Sequence, residues 1–287
     1  MSIEWRHRQL PAGDVSLHVV EAGDPYGRPY LFLHGWPESW RTWEGVMAAG
    51  AAHARVIALD LPGIGESTGD TGGSKRLLAQ VIRDLVRHLD LDDLTLIGHD
   101  AGGMIAYSYL RQYDDLSRAI IMNTVIPGVD PWQEVLANPY VWHFGFHTVP
   151  ALPEALVQGR QAAYFDYFYD VLSADPARIT PRSRAAHAAA YTGDAALTAG
   201  FDLYRAFTQD ALDNLALSLP VDTPTLYVRA EAESGDLAVY ERGLREAGVR
   251  NLTTAMVPDA GHFAQEEQPA RVWRLIHEFA SGTGPGT

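Results

Sequence analysis

Short apolar runs along this chain alternate with longer stretches in which apolar residues return every three or four positions. Residues 5–22 alternate, with Val15, Leu17 and Val19 set against polar neighbours, and predict two edge strands around the turn Pro11-Ala12-Gly13-Asp14. The all-apolar run Tyr30–Leu33 predicts a strand buried on both faces, and residues 42–49 a helix. Arg55–Asp60 predicts the next strand, ended by the turn Leu61–Ser67. Over 75–89, apolar residues at Leu77, Leu78, Val81, Ile82, Leu85, Val86 and Leu89 carry the 3.6-residue period of an amphipathic helix. A strand at 94–97 runs into a helix containing Met104, Ile105, Tyr107, Tyr109 and Leu110. Strands at Arg118–Met122, Pro224–Val228 and Thr253–Val257, then a helix from Pro269 to Ala280, complete the pattern.

Strands alternating with helices predict an α/β fold with a mostly parallel central sheet and helices on both faces. The alternation stops between about 128 and 218. That stretch has no strand pattern, carries the aromatic run Tyr164, Phe165, Tyr167, Phe168 and Tyr169, and is punctuated by Pro131, Pro150, Pro153, Pro176 and Pro181. It reads as a helical cap, 128–218, inserted over the C-terminal edge of the sheet, where open α/β sheets place their sites. The core is then 1–127 and 219–280, and the Gly/Thr/Pro-rich end, 281–287, is expected to be disordered.

Composition narrows the classes. The chain has 287 residues, 47% of them hydrophobic, which is enough for one large domain with an insertion. Its net charge of −14, with Lys75 the single lysine and no basic stripe, speaks against a nucleic-acid partner. There is no cysteine, so disulfides, thiol catalysis and thiolate metal sites are excluded. No apolar run suits a signal peptide or a membrane span, so a cytoplasmic protein without membrane contact is expected.

Candidate chemistry lies where the 94–97 strand becomes a helix, at Gly98-His99-Asp100-Ala101-Gly102-Gly103. Small residues around a sharp strand-to-helix turn keep Cβ atoms apart and expose the central side chain, the geometry of a nucleophile elbow. Here that residue is Asp100. A carboxylate can displace a leaving group at saturated carbon and form an ester of itself, which water then hydrolyses. The plainer alternative is a glycine-rich turn in which Asp100 caps the helix.

An ester intermediate needs a base to activate water. His262, in Gly261-His262-Phe263, follows the last strand, where the loop lies above the elbow. Eleven histidines occur in the chain, and a lone loop histidine would ordinarily be structural. Position singles this one out. After the 30–33 strand comes His34-Gly35-Trp36-Pro37, whose small Gly35 lets backbone approach the elbow. The N–H groups of Trp36 and Ala101 can then form an oxyanion hole, with Pro37 suited to a cis bond in the tight turn. A simple strand-ending turn is the alternative there.

Taken in order, these motifs resemble the α/β-hydrolase superfamily, specifically its epoxide hydrolase branch, over about residues 20–280. His34-Gly35-Trp36-Pro37-Glu38-Ser39-Trp40 is similar to that branch's oxyanion motif, and the Asp100 segment to its nucleophile motif. Asp60–Ser67 and Gly261–Pro269 fit the wider family. The resemblance implies a catalytic acid in one of two places. After the strand ending at Met122 stands Asn123, which carries no charge. After the next-to-last strand stand Glu231, Glu233 and Asp236, of which Glu233 has the family's spacing, three residues past Ala230, with Asp236 the fallback. It also implies donors from the cap to the departing oxygen; His143 and Tyr204 match the His/Tyr pattern of a bacterial subgroup and of the related fluoroacetate dehalogenases. Packing within an aromatic-rich cap is the competing account of both.

The implied activity is hydrolysis of a small apolar epoxide to a vicinal diol without metal or organic cofactor. A haloalkane or haloacid dehalogenase is the nearest alternative. Ala101 stands where haloalkane dehalogenases carry a halide-binding Trp and fluoroacetate dehalogenases an Arg, and Phe144 replaces the latter's halide-binding Trp. A non-catalytic ligand-binding member of the fold is the third reading. The sequence is compatible with a homodimer and specifies no oligomeric state.

Overall fold

A computed structural model describes residues 3–283. Eight strands form one sheet: β1 (Arg6–Ala12), β2 (Val15–Gly23), β3 (Pro29–Leu33), β4 (Arg55–Leu59), β5 (Thr95–His99), β6 (Arg118–Met122), β7 (Thr225–Ala230) and β8 (Leu252–Val257). Their spatial order is β1-β2-β4-β3-β5-β6-β7-β8. The β1–β2 and β2–β4 pairs are antiparallel and all others parallel.

The core helices are α1 (Glu44–Gly50), α2 (Lys75–His88) and α3 (Ala101–Gln112). All five residues of β3 are buried, and their alternation divides the interior in two. Leu31 and Leu33 join Leu78, Ile82, Leu85, Met104 and Tyr107 on the face covered by α2 and α3. Tyr30 and Phe32 join Trp43, Val46 and Met47 on the other face, with Val272 and Ile276 of a C-terminal helix. Burial on both faces is what the unbroken apolar run of β3 requires.

Between β6 and β7 lie seven α-helices: α4 (Trp132–Ala137), α5 (Trp142–Thr148), α6 (Leu152–Val157), α7 (Gln161–Leu172), α8 (Pro181–Ala190), α9 (Asp194–Arg205) and α10 (Phe207–Leu215). No strand occurs among the described residues of that stretch. The chain closes with α11 (Leu237–Glu246), α12 (Ala264–Glu267) and α13 (Pro269–Ser281). No helix among the described residues is long and apolar enough to cross a membrane.

Several details depart from the sequence reading. The helix expected over 42–49 begins as a 3-10 turn, Trp40–Trp43, before α1. β7 continues two residues past Val228, so Arg229 and Ala230 belong to the strand and not to the acidic loop. In α2, Leu77, expected on the apolar face, is 42% exposed, while Lys75 is only 2% exposed. Of the stretch 281–287 expected to be disordered, Ser281 ends α13 and Gly282 caps it in the left-handed conformation; residues 284–287 lie outside the described residues.

Candidate active site

The sheet order reverses between β3 and β5, so the loops leaving their C-terminal ends diverge and leave a crevice. Register aligns Leu33 with Gly98, and Met122 with His99, so the residues after these strands emerge side by side. Asp100 stands at the centre with φ +50° and ψ −121°, a conformation that non-glycine residues adopt only when their surroundings enforce it. The enforcement is local. The Asp100 N–H donates to the Met122 carbonyl at 3.1 Å, and its own carbonyl accepts from Gly103 and Met104 at 2.9 and 3.1 Å. A Cβ at Gly98 would strike the Gly102 backbone. The Asp100 side chain makes no capping bond to α3, so the plainer account of this turn is set aside.

The approach expected of Gly35 is present: a Cβ there would lie 2.6 Å from Asp100 Oδ1. Because it is absent, the Trp36 N–H reaches Asp100 Oδ1 at 2.9 Å. The Trp36–Pro37 bond is cis. Ala101 opens α3, where a backbone N–H has no intrahelical acceptor. One carboxylate oxygen is thereby held by backbone and the other is left toward the cavity.

That second oxygen, Oδ2, lies 3.7 Å from Nε2 of His262. On the opposite side of the ring, Nδ1 donates to Oε1 of Glu233 at 2.7 Å. Burial pushes the Glu233 carboxyl up, but the His262 hydrogen bond and the Arg229 charge outweigh it and hold the group below its ordinary range. Arg229 sits 3.3 Å from Glu233 Oε2 and lies over the Tyr240 ring at 4.0 Å. The other acidic candidates point elsewhere. Asp236 caps α11, accepting from the Ala238 N–H at 2.9 Å, and Glu231 accepts from the Asp259 N–H at 3.1 Å. Asn123 does not reach the imidazole; its amide donates to the His262 carbonyl at 2.7 Å. His99 donates to that same carbonyl at 2.8 Å and, through Nδ1, to Glu38 at 2.8 Å. The buried Glu38 carboxylate raises His99 to about 9 against the opposing pull of burial.

From the cap, Tyr204 of α9 and His143 of α5 face the same cavity, their ring centroids 5.8 Å apart. The cavity measures about 920 Å³ and is also lined by Phe144, Phe168 and Met104. Burial, and next the Asp100 carboxylate, push the Tyr204 hydroxyl well above its ordinary range, so it stays protonated. Burial drives His143 down to about 3, leaving a neutral imidazole whose Nδ1 is without a partner. The Trp36 indole packs among these groups, 5.6 Å from Tyr204 and 6.3 Å from His143.

Sequence reasoning passed over three groups here. His147, one turn beyond His143 on α5, contacts the Tyr204 ring at 4.4 Å and hydrogen-bonds the Tyr164 hydroxyl at 2.7 Å. The His143/His147 spacing of four was a legible signal of a shared helix face. The Glu38–His99 pair had no local signal, because its members are 61 residues apart; Arg229 stands only four residues before Glu233, and that spacing was the signal passed over.

A family model described as alpha/beta hydrolase fold matches residues 29–269. A soluble epoxide hydrolase of Corynebacterium sp. (strain C12) is 31% identical, over 94% of this chain and 95% of its own. A fluoroacetate dehalogenase of Burkholderia sp. is 26% identical, over 98% and 96%. The solved structure of the epoxide hydrolase CorEH without ligand superposes with a TM-score of 0.87 at 27% identity, covering 98% of this chain and all of that one (100%).

Proposed function

The chain belongs to the α/β-hydrolase family, in its epoxide hydrolase branch, and from that membership we propose that it hydrolyses apolar epoxides to vicinal diols through an ester of Asp100. The observation that carries the reading is the line Asp100–His262–Glu233, a carboxylate nucleophile with a histidine and a buried anion behind it.

In the first step Asp100 Oδ2 attacks an epoxide carbon, and the ring C–O bond breaks. The electron pair goes to the ring oxygen, which takes a proton from the Tyr204 hydroxyl; neutral His143 supplies a second hydrogen bond. General acid assistance of this kind contributes about 10²–10⁴-fold. In the second step water adds to the Asp100 ester carbonyl while His262 accepts its proton, and Glu233 stabilises the imidazolium. Negative charge develops on Oδ1, which the Trp36 and Ala101 N–H groups meet. Collapse expels the diol oxygen, which recovers a proton from His262; the second proton of the water, left on the Asp100 carboxyl, passes to the Tyr204 oxygen, so that Asp100 returns as a carboxylate and Tyr204 as a hydroxyl.

Haloacid hydrolysis shares this machinery, and the fluoroacetate dehalogenase relative gives it a place as the second reading. What weighs against it is charge. Among the described residues lining the cavity Arg229 is the only Lys or Arg, and Glu233 engages it, so none of them offers a free cation to a substrate carboxylate. A panel of styrene oxide, aliphatic epoxides and haloacids decides between the two. Diol formation is expected; halide release without diol from any epoxide would overturn the reading.

A further inference from the structure

The single lysine of the chain is in an unusual place. Lys75 is the first residue of α2, yet its side chain is buried at the junction between α9 and α10 of the cap. Its ammonium lies 3.0 Å from Asp210 Oδ2, donates to the Gly73 carbonyl at 3.2 Å and to the Leu203 carbonyl, and stands 4.7 Å over the Phe207 ring. The other Asp210 oxygen accepts from the Lys75 N–H at 2.9 Å. Two backbone carbonyls thus accept from the ammonium, and Asp210 stands beside it as the counter-ion. Gly73 completes the contact, since a Cβ there would run into the backbone of Asp202 and Leu203.

Burying such a pair strips both ions of their solvation and commonly stabilises less than an apolar replacement would. In some systems such a pair instead selects one arrangement among several. Here the arrangement concerns a helix break. α9 ends at Arg205 and α10 begins at Phe207. A cation beside the last carbonyls of α9, and an acid in the first turn of α10, suit the two helix ends. Tyr204 is the residue after the Leu203 carbonyl that Lys75 binds, and its ring packs on Phe207 at 5.2 Å. From both sides, then, the clasp bears on the tyrosine that faces Asp100.

We propose that Lys75, with Asp210, is a positioning residue for ring opening: it ties the α9–α10 break to the hydrolase core so that the Tyr204 hydroxyl is held over the nucleophile. This rests on the reading of Tyr204 as donor to the epoxide oxygen. Misplacing a reacting group by about 1 Å can cost on the order of 10²-fold. Lys75→Met should therefore slow single-turnover alkylation of Asp100 by about 10- to 100-fold. Hydrolysis of the preformed ester, which uses His262 and Glu233 on core loops, should keep its rate. In a Tyr204→Phe background, Lys75→Met should cause no further loss of alkylation, because both changes remove one function.

Asp210→Asn keeps the shape while removing the anion, and should reproduce the same selective loss in smaller degree if Lys75→Met fails to fold. A loss divided equally between the two steps, a loss that multiplies with that of Tyr204→Phe, or normal alkylation in a folded Asp210→Asn protein would each overturn the clasp. Normal alkylation in Tyr204→Phe alone would overturn both the clasp and the ring-opening role on which it rests.

Discussion

Glu233 accepts a 2.7 Å hydrogen bond from Nδ1 of His262 while Arg229, in the strand before it, approaches the other carboxylate oxygen to 3.3 Å. The carboxylate is thus bound on both sides, by the His262 imidazole and by the Arg229 guanidinium. Nearby Asp236 is turned away into a helix cap, so two acids three positions apart have different work. Glu233→Gln should slow hydrolysis of the alkyl-enzyme severely, because the imidazolium loses its counter-charge. Asp236→Asn should leave that rate unchanged, and Asp236→Ala should cost about 1 kcal/mol of stability as a lost cap. Single-turnover hydrolysis and urea unfolding of each variant read the two effects separately.

Removing the base should stop the cycle halfway. His262→Gln leaves Asp100 and the cap donors in place, so attack proceeds and the ester accumulates. Mass spectrometry after incubation with styrene oxide should find one adduct, on the peptide containing Asp100. An adduct on another peptide, or undiminished turnover, would remove these two residues from their roles.

Ring opening should depend on the cap pair. Tyr204→Phe deletes the proton donor and should lower the alkylation rate by about 10²–10⁴-fold. His143, held neutral by burial, still offers a hydrogen bond, so the loss should sit at the low end in the single variant and deepen when His143→Phe is added. Rapid-quench measurement of alkylation in the three proteins tests this, and equal rates in all would reduce both residues to packing.

The cation behind the acid should set where activity fails at low pH. Arg229 helps hold the Glu233 carboxyl below its ordinary 4.5. Arg229→Met should therefore raise that pKa and move the acidic limb of the ester-hydrolysis profile to higher pH. A profile superimposable on the wild type would show that Arg229 acts only through packing on Tyr240.

Stability should depend on pH through the pair beneath the elbow. His99 has its folded pKa raised from 6.5 to about 9 by Glu38. A raised value means protonation favours the folded state, so this contribution is complete below 6.5 and disappears as pH climbs toward about 9. Melting temperatures should fall over that window. Glu38→Gln should flatten the slope there, and an unchanged slope would assign the loss to other groups.

Much of the molecule is legible in local sequence, for a physical reason. A strand buried on both faces is apolar along its length, and a helix on a sheet repeats every 3.6 residues, so β3 and α2 announce themselves. The elbow is equally local: Asp100 at φ +50° needs small neighbours at Gly98 and Gly102, and both are within two positions of it. Residues whose place depends on distant partners are not legible in this way. The spacing that favoured Glu233 over Asp236 is a family pattern; the contact itself depends on how the loops after β7 and β8 meet. Asn123 stands in the chain at one of the family's two positions for the acid, without the charge, and in space braces the His262 carbonyl.

The two residues near the start of α2 make the division plain. Helical periodicity puts Leu77 inside and a lysine outside, since an isolated ammonium cannot leave water cheaply. Those 14 residues, Lys75–His88, form the helix that their own sequence dictates, with Leu78, Ile82 and Leu85 on its buried face. Only the cap, folding back from more than a hundred residues away, brings the Asp210 carboxylate and the Leu203 carbonyl to Lys75 and makes its burial possible (separation 135 and 128 residues). Periodicity records which face meets the core; it holds no record of which charge will arrive to meet it.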